Sequence, residues 1–156
     1  GLYNVENIRF RASKQYVIDQ MMKGPNAVLV SKPNDVLGFS GGEYNRNNLS
    51  FWSFHFYNDQ LHSVDIVFKR PEDINGLREN IINYVSNKYV IESTERLDKD
   101  GNFTNTWYFE DKKHIPIDLV DLNLYETSTG ETTYKLSFVN IKLFEKAKAA
   151  RKRKEF

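Results

Sequence analysis

Cysteine is absent from this chain, which removes thiol nucleophiles, disulfides and Cys-based zinc sites together. Long apolar runs are missing as well: no stretch approaches the ~18 residues of a membrane-spanning helix. Neither sign of charge prevails, with 22 Lys+Arg against 21 Asp+Glu. Outside the last stretch acidic residues outnumber basic ones, so the folded body offers no basic face for phosphate backbones; a nucleic-acid role would rest on the tail alone, and no nucleic-acid partner is expected. Eight glycines and four prolines are too few for a collagenous or low-complexity chain. What remains is an ordinary globular composition, 40% hydrophobic over 156 residues. A chain of that size buries roughly two-thirds of its surface without metals or cross-links.

The charge is unevenly placed. Lys146, Lys148, Arg151, Lys152, Arg153 and Lys154 face only Glu145 and Glu155 in the last stretch, which reads as a basic tail, helical or disordered, over 145–156. Gly1 stands where an initiator Met is expected and nothing at the start reads as a signal peptide. The expectation is a leader already removed and an exported protein, periplasmic or secreted.

Along the chain, Ser13 is placed to cap a helix to Lys23 whose stripe is Val17, Ile18, Met21 and Met22, and Gly24-Pro25 ends it. Four extended segments follow: 27–31, 36–44, 49–57 and 61–68. Trp52, Phe54 and Phe56 alternate in the third and His62, Val64, Ile66 and Phe68 in the fourth. A two-residue Asn58-Asp59 turn would pair Phe51 with Ile66. A three-residue Asn58-Gln60 loop pairs Trp52 with Ile66 and Phe54 with Val64, and is preferred because it gathers the aromatic and β-branched sets on one side.

After Pro71, the spacing of Ile74, Leu77, Ile81, Tyr84, Val85 and Tyr89 predicts a longer amphipathic helix with Glu72 and Asp73 near its positive end. Gly76 weakens its first turn, so the start is expected after it. Extended segments resume at 89–97, 103–110, 115–126 and 132–144, with turns at Lys99-Asn102 and Thr127-Gly130. The order helix, four strands, helix, four strands predicts an α+β protein: a tandem repeat of a helix followed by a four-stranded antiparallel sheet. The first unit covers 1–70 and the second, sharing its core, 71–144.

Phe39, Gly41 and Tyr44, then Trp52-Ser-Phe54-His-Phe56, a polar turn, and Leu61 with Val64-Asp-Ile66-Val-Phe68 resemble the repeating unit of the β-lactamase-inhibitor-protein-like group, which includes small bacterial outer-membrane assembly lipoproteins. The second half, with Lys88-Tyr89, Trp107, Ile117 and Tyr134-Lys-Leu136-Ser-Phe138, is similar to envelope proteins of gut bacteria with a tandem layout. The resemblance spans most of 8–144. It implies protein binding through a sheet surface, although no lipobox cysteine is present and no inhibitor contact residue matches a position here.

Catalytic constellations are sparse. His55, His62 and His114 are the candidates for a metal or a general base, but no helical spacing of ligands accompanies them and the preferred hairpin register puts His55 and His62 on opposite faces. Asp118 with Asp121, and Glu110 with Asp111, sit at turn or edge positions that leave carboxylates solvated, so neither pair reads as acid and base. Gly38, Gly41 and Gly42 lack the Lys and Ser/Thr of a phosphate loop and read as a bulge or tight bend. Aromatics, at 14% of residues, are the surplus. Tyr44, Phe51, Tyr57 and Tyr108 fall on alternate or loop positions and are the candidate anchors of an open sheet face for an unknown protein partner.

The expectation is a non-catalytic protein-binding or inhibitor-like module, with no cofactor and no metal. One alternative is a small hydrolase or ligand-binding protein with His55 or His114 and a carboxylate in a polar cavity. Another is a passive structural protein of the envelope.

Overall fold

The computed structural model describes residues 4–5, 7–24 and 26–154. The positions argued above at Gly1, Pro25 and Glu155 lie outside these. The elements, in chain order, are β1 (Asn4–Val5), β2 (Ile8–Arg9), α1 (Lys14–Lys23), β3 (Ala27–Ser31), β4 (Val36–Gly41), β5 (Glu43–Tyr44), β6 (Asn47–Tyr57), β7 (Gln60–Phe68), α2 (Ile74–Tyr89), β8 (Thr94–Leu97), β9 (Phe103–Glu110), β10 (Pro116–Glu126), β11 (Thr132–Asn140) and α3 (Ile141–Lys154). No helix among the described residues is long and apolar enough to cross a membrane.

The tandem repeat is overturned. Nine strands form one antiparallel sheet, ordered β3-β4-β6-β7-β11-β10-β9-β8 with β5 paired to β6, and three helices accompany it. The reason is the central β7–β11 pairing, in which Leu136 lies opposite Ile66 and Phe138 opposite Val64. Two separate sheets would each leave a long apolar edge open at this seam, and pairing closes both.

Register then builds one core. Leu37, Phe54, Val64, Phe138, Val120 and Trp107 are successive cross-strand partners, as are Phe39, Trp52, Ile66, Leu136 and Leu122 in the next row. All are buried, and full burial of each such side chain contributes about 1.5–3 kcal/mol. Val17 and Met21 of α1 and Leu77, Ile81 and Val85 of α2 cover this face. Trp52 donates its indole N–H to the Gly41 carbonyl at 2.9 Å and Trp107 to Ser86 Oγ at 3.0 Å, so neither large ring strands a donor.

Local signals explain the helix ends. Ser13 Oγ accepts the Tyr16 amide at 3.2 Å, and Asp73 accepts that of Asn75 at 3.1 Å. The second helix therefore starts ahead of Gly76, whose missing side chain leaves room for the Asp73 carboxylate. It also runs through Tyr89, so the strand expected from 89 begins only at Thr94.

The β6–β7 hairpin resolves the register question in an unexpected way. Tyr57 pairs with Gln60 around a two-residue turn, Asn58 and Asp59 both having positive φ (49° and 55°), the backbone of a primed turn. A bulge follows: Phe56 faces Leu61 but His55 faces Ser63, so His62 is the extra residue. Past the bulge, Trp52 pairs with Ile66 and Phe54 with Val64. The preferred pairing is present, reached by a short turn and an inserted residue.

The last helix departs furthest from expectation. Strand β11 ends at Asn140, and Ile141–Lys154 is helical rather than extended to 144. Asn140 Oδ1 caps it by accepting the Leu143 amide at 3.1 Å, while its Nδ2 donates to Asp118 Oδ1 at 2.9 Å. α3 packs across the sheet face opposite α1 and α2, against β6, β7, β10 and β11, with Leu143 and Ala147 buried. Its first half is thus packed on the sheet, while Arg151–Lys154 at its end are exposed.

Candidate functional site

The second sheet face carries the chemistry. Because side chains alternate along each strand, the residues between the core positions form their own cross-strand rows. One runs Gly38, Ser53, Asp65, Ser137, Asp121, Thr106, Thr94. A second runs Val36, His55, Ser63, Val139, Leu119, Tyr108. With α3 lying across this face, a cleft of ≈ 630 Å³ opens between helix and sheet. The sheet supplies His55, Asp65, Asp121 and Ser137 to its lining, and α3 supplies Phe144, Ala150, Arg151 and Lys154.

The floor is hydrogen-bonded from strand to strand. Ser137 Oγ donates to Asp65 Oδ1 at 2.6 Å, and His55 Nε2 lies 3.2 Å from Asp65 Oδ2. Thr106 Oγ1 donates to Asp121 Oδ1 at 2.7 Å and Asn123 Nδ2 to Asp121 Oδ2 at 3.0 Å. Arg96 reaches the same Thr106 hydroxyl at 3.3 Å and lies over the Tyr108 ring. Burial by itself would raise the Asp65 carboxyl, but the hydrogen bonds from His55 and Ser137 outweigh it and hold the group below its ordinary value.

The bulge places His62 beside this floor. Its ring stacks on His55 with centroids 6.2 Å apart, meets Phe144 of α3 edge-on at 5.9 Å, and has Nδ1 2.7 Å from Ser63 Oγ. Burial drives its pKa from 6.5 down to about 4, with His55 and Arg151 adding to the effect against opposing Asp35 and Asp65. His62 is therefore neutral at pH 7. The expectation that His55 and His62 occupy opposite faces is corrected: the inserted residue turns His62 toward His55.

Ser53, His55 and Asp65 invite comparison with a nucleophile relay, and the geometry argues against it. Ser53 Oγ, at 2.9 Å, and Asp65 Oδ2 both approach the same nitrogen, Nε2 of His55. A relay needs the hydroxyl on one ring nitrogen and the carboxylate on the other. Among the described residues, no group of three or more His, Asp or Glu side chains is arranged to hold a metal ion.

The aromatic candidates are dispersed. Tyr44 is in the core, 6% exposed and edge-on to Tyr84 at 5.3 Å, so its place on an open face is withdrawn; from β5, paired to β6, its ring reaches Phe68 and Phe138. Phe51 is half-buried beside Gly38, where an added Cβ would strike its ring. Tyr57 lines the cleft near the hairpin tip, and Tyr108 lies three strands away from β7, on β9. His114 projects from an exposed turn, 3.2 Å from Glu110, and does not line the cleft. Asp118 and Asp121 lie on opposite faces of β10, one in the core at 1% exposure and one in the cleft.

Sequence reasoning missed the floor row and the wall. Ser53, Asp65, Asp121 and Ser137 are visible as polar residues at alternate strand positions, but their neighbourhood depends on three interstrand registers. Comparisons with protein families, with curated proteins and with solved structures found no match for this chain.

Proposed function

We propose that this chain is a ligand-binding module that holds a small molecule in the cleft between α3 and the second sheet face. The observation that carries the reading is the cleft itself, ≈ 630 Å³ with polar groups converging on its floor and apolar Leu119, Val139 and Phe144 beside them. That volume and mixed lining suit a small ligand better than a macromolecular surface. A strand-borne floor, hydrogen-bonded to itself, is a preorganised platform that loses little entropy on binding. The shared use of His55 Nε2 by Ser53 and Asp65 supports a binding role over acyl transfer. An aromatic protein-docking face is less well supported, because Tyr44 is buried and Phe51, Tyr57 and Tyr108 do not form one patch.

The test is an amide NMR screen of the full chain against mixtures of small polar and amphipathic molecules. Binding should shift Ser53, Asp65, Ser137 and Ala150 together. The Ala150→Trp variant, which places an indole in the cleft from a half-buried helix position, should abolish those shifts. Shifts confined to other surfaces, or unaffected by that variant, would refute the assignment.

A further inference from the structure

The two signs of charge in the cleft are treated differently by the fold. Asp65 accepts from Ser137 and pairs with His55, and Asp121 accepts from Thr106 and Asn123. Each floor carboxylate thus already has two partners. Lys135, Arg151 and Lys154 line the same cleft, and no carboxylate of the described residues lies within 4.0 Å of any of them. The carboxylate left over is Asp35, on the exposed rim. Among the described residues, the lining cations without an ion pair or hydrogen bond therefore outnumber such carboxylates three to one, and of the three only Lys135 acts on a floor carboxylate, helping to hold Asp65 below its ordinary value.

Their placement gives the cleft a direction. Arg151 and Lys154 are spaced i, i+3 on α3, hence on one side of the helix. Phe144, Ala147 and Ala150 carry the same helix side past the apolar Leu119 and Val139 of the sheet. Lys135 stands on β11 one cross-strand row beyond Ser137. A planar guanidinium with a second cation nearby is suited to two-oxygen recognition of carboxylate or phosphate.

Resting on the ligand-binding reading above, we propose that the cleft selects small organic anions: a carboxylate or phosphate group on an apolar body, the anionic group facing Arg151, Lys154 and Lys135 and the body lying along Phe144, Leu119 and Val139. The internally bonded floor carboxylates orient the ligand by accepting from any hydroxyl it carries. The positive charge of Lys135, Arg151 and Lys154 disfavours a cationic ligand.

Four probes of one size distinguish the charges: benzoate, phenyl phosphate, benzamide and benzylamine, each titrated into the full labelled chain. Benzoate, phenyl phosphate or both should shift the amides of Ser137, Ala150 and Arg151 saturably, and the stronger of the two identifies the anion class. Combined Arg151→Gln and Lys154→Gln substitution, at exposed positions that the fold does not need, should weaken that binding by about tenfold or more, as loss of charge-assisted hydrogen bonds implies. Lys148→Gln, exposed and outside the cleft lining, should leave it unchanged. Cleft shifts from benzamide or benzylamine equal to those from the anions, or anion binding indifferent to the double substitution, overturn the anion assignment while leaving the cleft reading intact. Silence from all four probes also overturns it, and the cleft reading falls as well only if the broader screen is silent too.

Discussion

Acidification should loosen this fold through His62 before its carboxylates titrate. The imidazole is 6% exposed, set between His55 and Phe144, and its pKa falls from 6.5 in the unfolded chain to about 4 in the folded one. Between those values the unfolded state binds the proton and the native state does not, so stability declines as pH falls through this window. It is fully present above pH ~6.5 and lost by pH ~4, at about 1.4 kcal/mol per pH unit at most, or about 3 kcal/mol in total. Asp65, also held below its ordinary value of 3.8, contributes stability above that value that is lost as pH falls through its lower folded pKa. Its effect therefore begins where that of His62 ends. Urea denaturation at half-unit steps from pH 7 to pH 4 measures the slope. His62→Asn keeps a polar atom near Ser63 Oγ but has nothing to titrate, and should flatten the curve over this range by about 3 kcal/mol, the wild-type loss. Parallel pH curves for the two proteins, or a His62 NMR titration near 6.5, would refute the reasoning.

Three further outcomes follow from particular contacts. Asn140→Ala removes the α3 cap and takes from buried Asp118 the donor to its Oδ1, Asp118 Oδ2 having no donor among the described residues; the expected loss is about 2–3 kcal/mol, with amide exchange rising first in α3. Val90→Gly should stabilise by about 0.5–1 kcal/mol in chemical denaturation, since this β-branched residue ends α2 at φ 55° and is 88% exposed, so relieved backbone strain outweighs the entropy of the added glycine. Trp52→Ala should cost about 3–5 kcal/mol by the same measurement, because the ring is fully buried and stacked on Phe54.

Much of the local structure is legible from spacing and caps. The stripe Val17, Met21 and the run Leu77, Ile81, Val85 are the buried faces of α1 and α2. The alternation Trp52, Phe54, Phe56 is the core face of β6. Such periodicities are short-range, so neighbouring residues alone specify them. The hairpin bulge is less legible, since a two-residue turn and a displaced register each satisfy part of the pattern and only the bulge satisfies both. The Ile141–Phe144 segment misleads for a related reason: a short apolar run continuing a strand reads as strand, and Asn140 as a cap is recognised only once Leu143 is seen to turn back.

The sequence by itself determined α1, α2 and the long strands of the sheet, and which side of β6 and β7 is apolar, because those choices rest on periodicity and capping within a few residues. Tertiary structure alone decided that β7 joins β11, that α3 folds back over the second face, and that Ser53, Asp65, Ser137, Asp121 and Thr106 fall into one row. Those outcomes depend on pairing between residues far apart in the chain, 72 positions in the Ser137–Asp65 hydrogen bond. There the burial of whole faces, summed over the sheet, sets the register that no local signal encodes.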